Sequence, residues 1–560
     1  MKKIMIFLMG MFFISFLMAN EMDWRMYQDD NQRTGFTPYK GNFQHVMYEM
    51  WHREIGAEAS LVLGNVDNDN EIEIVSLEGV VSLFRLIVIN GKTGALEWVY
   101  NLPELSWQDG KSVPVIEDIN NDGINEIIYS HSASPPYGYG RGRIYVLNKV
   151  IQDTLWCFKN DTLFFTGVAI EDVTGDGSKE VIFGAGKTIP SQWQPFLYIP
   201  SIFILNGEDG SIYWIIDSVF VAQRDKEFHG SAGGWNVYPM PVGAYPYLAD
   251  LNGDGVQDII GVRLHSDSTW HLCGIDAKNK NILWENNYSF FGTSLGDLDN
   301  DGINEIVTSF IKRYQNQNKD SIFLRCFEGN TGNLKWEYKT KDTLFYGDRF
   351  SYQPAISDIN KDGNKEIIFV IDSEARCFVF LNILDKNGNL LHKDSINTVV
   401  FNWVNYFECG ESYYAPVTVD INNDDTIEVL YWGTGSIGIP PRIKCINGVN
   451  FQGGEFPILF PGGPVTTQFA DIDNDSILEI VFLVHLIDTL MPGPRGAIYA
   501  FNEEPVGIKE KEILFKKINN NFIYDISGKK FLKENLRNLP PGIYFSPSEK
   551  KKYFKIFKRR

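Results

Sequence analysis

The sequence predicts an all-β ring of eight four-stranded blades, with seven blades as the fallback, followed by a small C-terminal β-sandwich-like domain. Three features lead there: a nine-residue acidic phrase in eight copies, short apolar β-branched runs around each copy, and a tryptophan late in most repeats. The copies begin at Asn65, Asp118, Asp172, Asp250, Asp297, Asp358, Asp420 and Asp471, at spacings of 53, 54, 78, 47, 61, 62 and 51 residues. Such periods mark repeat architectures, and four short strands repeated radially make propeller blades. A chain of 560 residues exceeds an ordinary single core, which a ring accommodates.

Within one repeat each element follows from local chemistry. A short apolar segment enters the acidic phrase, as in Pro114-Val-Ile-Glu-Asp118, and an apolar run leaves it, as in Glu126-Ile-Ile-Tyr129. A third strand ends in a glycine turn: Ile87-Val-Ile-Asn90-Gly91-Lys-Thr-Gly94, Ile202-Phe-Ile-Leu-Asn206-Gly207 and Cys326-Phe-Glu-Gly329-Asn-Thr-Gly332. A fourth strand carries Trp98, Trp156, Trp214, Trp284 or Trp336. Runs of this kind separated by Gly, Asn and Asp read as antiparallel hairpins. The last repeat stops after Ala497-Ile-Tyr-Ala-Phe501 without a fourth strand. The segment His45-Val-Met-Tyr-Glu-Met-Trp51-His-Arg-Glu54 supplies a tryptophan ahead of the first phrase. It is expected to complete the last blade, which removes that blade's open edge.

Residues 1–19 read as an export signal, with Lys2 and Lys3 before an apolar run over 4–18 and the small Ala19 at its end. The propeller is assigned to 20–502, a linker to 503–512 and the tail domain to 513–560. From 509 to 560 the chain has 15 Lys/Arg against 5 Asp/Glu, in a protein of formal net charge −20. That acidity argues against nucleic acid as a partner, because phosphate binding needs a basic surface. No stretch after the signal reaches transmembrane length. The six cysteines are scattered singly, and Cys326 and Cys445 hold the register of Val88 and Ile204. They read as small buried hydrophobes rather than disulfide partners.

The phrase follows the template D-x-[DN]-x-D-G-x-x-E. Oxygen-bearing side chains at positions one, three and five with a carboxylate at nine suit a hard cation, and calcium takes about six to eight oxygens at about 2.3–2.6 Å. Several structural calcium ions are therefore expected. The ligand candidates are Asn65, Asp67, Asp69 and Glu73; Asp118, Asn120, Asp122 and Glu126; Asp172, Asp176 and Glu180; and Asp250, Asn252, Asp254 and Asp258. In the second half they are Asp297, Asp299, Asp301 and Glu305; Asp358, Asn360, Asp362 and Glu366; Asp420, Asn422, Asp424 and Glu428; and Asp471, Asp473, Asp475 and Glu479. Glycine at position six allows a positive φ, and Asn70, Asp425 and Ser476 replace it in three copies. The sites at Asp118, Asp250, Asp297 and Asp358 rank strongest. Asn65, Thr174, Asp425 and Ser476 mark loops expected to be weak or empty. The eight histidines show no metal-ligand spacing.

These loops resemble the FG-GAP/VCBS calcium-loop repeats of integrin α-chain propellers and many bacterial surface proteins. Phe291-Gly292-Thr-Ser-Leu-Gly-Asp297-Leu-Asp299-Asn-Asp301-Gly302 follows that pattern, and Phe165-Thr-Gly167 is a looser copy. The resemblance covers most of residues 60–485 and implies a calcium-bound propeller in binding or adhesion. Phrases such as Asn90-Gly91-Lys-Thr-Gly94-Ala-Leu-Glu-Trp98 also resemble quinoprotein-like repeats, but the adjacent cysteines those enzymes use are missing. The tail resembles the sorting domain of type IX secretion through Phe522-Ile-Tyr524-Asp525-Ile-Ser-Gly528-Lys529, Leu539-Pro-Pro-Gly542-Ile-Tyr544-Phe545 and the basic end Lys555-Ile-Phe-Lys-Arg-Arg560. That resemblance implies recognition by the secretion machinery.

In a propeller the acidic loops occupy one face. The longest irregular segments, 132–142, 187–200, 228–247 and 432–441, are expected on the other. Aromatics on such loops suit sugar rings or protein partners, which makes Trp193, Trp235, Tyr238 and Tyr245 the ligand-face candidates. The function expected is a secreted or outer-surface calcium-binding propeller that binds a glycan or a surface protein, with no catalytic residue assigned. The alternatives are a polysaccharide lyase of the rhamnogalacturonan-lyase propeller type and a structural surface-layer component.

Overall fold

The computed structural model describes most of the chain from Phe36 to Asn502 outside its longer loops, together with Arg25, Met26, Asp30 and short strands of the tail. The export signal and the linker lie outside the described residues, as do Trp193, Trp235 and Tyr238.

Eight sheets, each built on four antiparallel strands that follow sequence order in all but the last, form eight blades. Blade 1 is Leu61–Gly64, Glu73–Val80, Leu83–Asn90 and Leu96–Leu102. First strands of most neighbouring blades lie against one another and ring the axis. In blade 2, Glu126–Ser132 and Gly142–Asn148 are buried along their whole length, whereas Asp153–Asn160 is partly exposed. Middle strands are apolar on both faces because both faces are covered by neighbouring blades. The hydrophobic clusters accordingly straddle blades: Ile74 and Ile87 of blade 1 pack with Ile472 and Ile480 of blade 8.

The ring closes as the sequence predicts. Tyr48–Gly56 pairs antiparallel with Arg495–Asn502 as the outer strand of blade 8, with Trp51 opposite Ala500. An inner seal has no counterpart in the sequence pattern. Phe36–Lys40 runs parallel to Val417–Asp420, the first strand of blade 7. The Gly41 and Phe43 N–H groups donate to the Asp420 and Ile421 carbonyls at 2.8 Å, and the Leu478 N–H of blade 8 donates to the Lys40 carbonyl at 3.2 Å. One segment thus joins blades 7 and 8 near the axis and completes blade 8 at the rim.

Four of the fourth-strand tryptophans, Trp51, Trp156, Trp284 and Trp336, latch a blade to the next. The indole N–H donates to a turn carbonyl of the following blade, Trp51 to Gly91, Trp156 to Gly207 and Trp284 to Gly329, all at 2.7 Å. The ring lies on the second glycine of the same turn. A Cβ on Gly94 would stand 2.7 Å from Trp51, and one on Gly332 2.3 Å from Trp284; both glycines have positive φ, +69° and +67°. Blade 6 rebuilds the latch differently. His392 stands opposite Ile383, where Trp336 stands opposite Cys326 in blade 5. It stacks on Phe451 of blade 7 at 4.5 Å and 6°.

Among the described residues Cys157, Cys273, Cys326 and Cys445 form no disulfide, and Cys273 and Cys326 are fully buried, as the packing reading expects. Tyr245 is a core residue rather than a surface aromatic: it is 2% exposed and its hydroxyl accepts the Val113 N–H at 2.8 Å. No helix among the described residues is long and apolar enough to cross a membrane. Residues 505–560 form a separate unit, in which Phe522–Asp525, Lys530–Leu532, Ile543–Phe545 and Lys555–Ile556 pair as short antiparallel strands.

Candidate metal centres

The acidic phrase joins the first and second strands of every blade, and its carboxylates first fold the loop onto its own backbone. The position-nine carboxylate accepts the N–H of position two in all eight copies, from Val66 to Glu73 at 2.9 Å through Ile472 to Glu479 at 2.9 Å. Position five accepts the N–H of position seven in all eight. Position one accepts the N–H of position six in the seven copies where it is Asp, as Gly123 to Asp118 at 2.9 Å. Asn65 has only one acceptor oxygen and lacks that clamp. Position six takes a positive φ in those seven loops, including Asp425 at 65° and Ser476 at 71°.

The position-nine carboxylate keeps a second oxygen, and the blades treat it differently. Asn148 donates to Glu126 Oε1 at 2.9 Å, Asn360 to Glu366 Oε1 at 3.0 Å and Asn447 to Glu428 Oε1 at 3.3 Å. In blade 5 the ammonium of Lys335, from the fourth strand, lies 2.9 Å from Glu305, 3.0 Å from Asp299 and 3.1 Å from Glu328. In blade 1 Lys149 pairs with Asp67 and Glu97, and in blade 7 Lys40 pairs with Asp420 and Asp425. Among the described residues no lysine or arginine pairs with the acidic side chains of the blade 8 loop. There Asp473 Oδ1 and Glu479 Oε1 are buried with no hydrogen-bond partner among the described residues, and Glu73 Oε1 of blade 1 is the same.

Acidic trios converge closely enough to share an ion in four blades. These are Asp67 and Glu73 with Glu97; Asp297, Asp299 and Glu305; Asp420, Asp424 and Glu428; and Asp471, Asp473 and Glu479. Among the described residues no such trio forms in blades 2, 3, 4 and 6, where Asn120, Thr174, Asn252 and Asn360 hold position three. Glu97, Lys149, Lys335 and Glu328 escaped the sequence reading because they come from later strands; a charge just before the fourth-strand tryptophan, as in Glu97-Trp98 and Lys335-Trp336, was the available signal.

Burial pushes the position-nine carboxyl up in every blade. It reaches about 7 at Glu126, Glu180, Asp258, Glu366 and Glu428, about 8 at Glu73 and about 10 at Glu479. Glu305 is raised by burial too, against the opposing pull of the Leu298 backbone N–H and of Lys335. At Glu479 the charges of Asp473, Asp475 and Asp471 add to burial, and Asp471 and Asp473 are themselves raised. Clustered, buried carboxylates of this kind favour either protonation or a cation among them.

Fold and loops together define an eight-bladed β-propeller with acidic, cation-competent clusters in several blades. No family model matches the chain and no curated protein is similar to it. Among solved structures it is similar to a quinohemoprotein alcohol dehydrogenase from Pseudomonas putida (10% identity, TM-score 0.40, covering 75% of this chain and 77% of that one). BamB from Moraxella catarrhalis aligns at 13% identity and TM-score 0.35, over 72% and 95% of the two chains. The C-terminal WD40 domain of Sif2 aligns at 11% identity and TM-score 0.43, over 82% and 99%.

Proposed function

We propose that this protein is a calcium-loaded propeller, secreted or held at the outer cell surface, that binds a glycan or a surface protein. The observation carrying the calcium reading is the blade 8 loop, where Asp473 Oδ1 and Glu479 Oε1 are buried beside Asp471 with no hydrogen-bond partner among the described residues. Asp471, Asp473 and Glu479 would hold the ion, with Asp67 and Glu73 of blade 1 as the second site. Calcium there would neutralise the carboxylates and brace the first hairpin of the blade. The loop pattern supports membership of the FG-GAP/VCBS group, and the basic tail motifs support a type IX sorting domain that addresses the chain through the secretion machinery. The formal charge of −20 speaks against nucleic acid.

Calorimetric titration of chelator-stripped protein with calcium tests the cation. Saturable binding that is lost in Glu479→Gln supports it, and absence of binding overturns it. A glycan and surface-protein array tests the partner. Retention without cleavage supports the binding module, whereas unsaturated sugar products would replace it with a lyase.

A further inference from the structure

Blade 4 carries a different cluster at the end opposite its acidic loop. Its second strand, Asp258–Leu264, starts at that loop and delivers His265 to the far end. The hairpin returns through Thr269 into Trp270–Asp276, which carries His271, and the fourth strand, Asn281–Asn286, brings up Glu285. Both imidazoles reach one oxygen. His265 Nε2 contacts Glu285 Oε1, and His271 Nδ1 lies 2.9 Å from the same atom. The two rings are 4.1 Å apart, and the three side chains are 36%, 22% and 21% exposed, so the cluster opens to solvent on one side.

The hydrogen-bond chain behind His271 decides what its nitrogens do. The Thr269 hydroxyl lies 2.6 Å from Asp267 Oδ1 and 3.2 Å from His271 Nε2. An ionised carboxylate only accepts, so the single hydroxyl proton goes to Asp267 and Nε2–H of His271 must donate to the hydroxyl. A neutral His271 then has its lone pair on Nδ1, aimed at Glu285 Oε1. Two lone pairs meeting across 2.9 Å repel unless a cation lies between them. Arg263 Nη1 holds the other Glu285 oxygen at 3.2 Å. Metal-ligating histidines and carboxylates are oriented by outer partners of this type.

We propose that His265 Nε2, His271 Nδ1 and Glu285 Oε1 form a mononuclear site for a borderline transition-metal dication, zinc being the best fit. Two imidazoles and a carboxylate are a three-ligand zinc set whose fourth position stays open to water. Calcium prefers oxygen donors and does not compete for it. The residues are spaced six and fourteen apart, which no sequence signature captures; the absence of histidine spacing in the sequence is corrected by three consecutive strands lying side by side. The site stands on the face that the sequence assigns to ligands, and it does not depend on the calcium reading.

The test uses full-length protein without a histidine tag, stripped with chelator and returned to excess calcium to fill the acidic loops. Zinc titration by calorimetry is expected to show one equivalent. His265→Ala and His271→Ala should each weaken it by more than about 100-fold, and Thr269→Val, which removes an outer partner, by about 10–100-fold. Cobalt should give the visible absorption of a low-coordinate site in the parent protein and lose it in His271→Ala. Glu285→Gln keeps the side-chain shape, and melting curves of all variants in calcium show whether they are folded. Absence of stoichiometric zinc would make the cluster a protonated imidazole–carboxylate pair and overturn the proposal. Equal zinc binding in the folded His265→Ala, His271→Ala double variant would overturn it too.

Discussion

Glu479→Gln should stabilise the metal-free protein, and calcium should remove part of that advantage. In the metal-free protein burial and three neighbouring aspartates raise the Glu479 carboxyl from 4.5 to about 10, so the folded chain holds a proton that the unfolded chain releases. At about pH 7.5, about three units above the ordinary carboxyl value, holding that proton costs about 4 kcal/mol at about 1.4 kcal/mol per unit. Glutamine is neutral without that cost, and its carbonyl can still accept the Ile472 N–H. Allowing for relaxation around the site, the variant should gain about 2–4 kcal/mol in EGTA. In calcium the parent protein gains the blade 8 ion, worth about 1.4 kcal/mol at a tenfold excess over Kd, so the advantage of the variant should shrink to about 1–3 kcal/mol. The pH dependence has a definite sign. The folded state binds more protons than the unfolded state between about 4.5 and about 10, so metal-free stability falls as pH rises through that window. Calcium should flatten the slope. Thermal melts of both proteins in EGTA and in calcium, at two pH values, read all of this. An equal loss of stability in every condition would mean that Glu479 serves only as a backbone acceptor, and would refute the cation argument.

Three further substitutions probe other parts of the ring. Lys335→Met leaves Asp299, Glu305 and Glu328 facing one another, and should cost about 1–3 kcal/mol in EGTA for a partly exposed cluster while adding one calcium equivalent by titration. Gly332→Ala places a methyl against Trp284 at a left-handed position and should destabilise by about 2 kcal/mol or more, measured by urea unfolding. Ser476→Gly relieves the strained φ of 71° in blade 8. It should raise the melting temperature by the equivalent of about 1 kcal/mol.

The ring was legible because its signals are local. The acidic phrase, its flanking apolar runs and the turn glycines each lie within one hairpin, and Trp51 identified the closing strand by its resemblance to sister strands. What stayed hidden depends on register between strands far apart in sequence. Lys335 reaches the Asp299 loop only because the fourth strand pairs with the third and so returns to the loop end of the same blade. Nothing about Phe36–Lys40 marks it as a parallel strand, since its partner is contributed by Val417–Asp420. Tyr245 sits in a Pro- and Gly-rich stretch that reads as surface loop. Its ring lies against Gly167, where a Cβ would stand 2.0 Å from it, so the missing side chain there makes room for the aromatic in the core.

The same long-range geometry makes the acidic loops part of the ring rather than separate hairpins. Asn125 of the blade 2 loop donates to the Asn65 carbonyl of blade 1 at 2.8 Å, and Asn121 donates to the Gly177 carbonyl of blade 3 at 3.2 Å. Lys92, in the latch turn of blade 1, donates to the Asp473 carbonyl of blade 8 at 3.2 Å. That turn is fixed twice more, by Trp51 of blade 8 on the Gly91 carbonyl and by the Gly91 N–H on the carbonyl of Ile72, next to Glu73. A cation on Asp473 and Glu479 therefore acts at the seam where the two ends of the chain meet. Blade 8 is the blade whose outer strand comes from the other end of the sequence, and among the described residues its Asp473 Oδ1 and Glu479 Oε1 are buried without a hydrogen-bond partner, as are Asp299 Oδ1 and Glu328 Oε2 of blade 5. Metal loading in blade 8 would stabilise ring closure itself, so losing calcium should open this seam before it loosens the blades whose position-nine carboxylates Asn148, Asn360, Asn447 and Lys335 already satisfy.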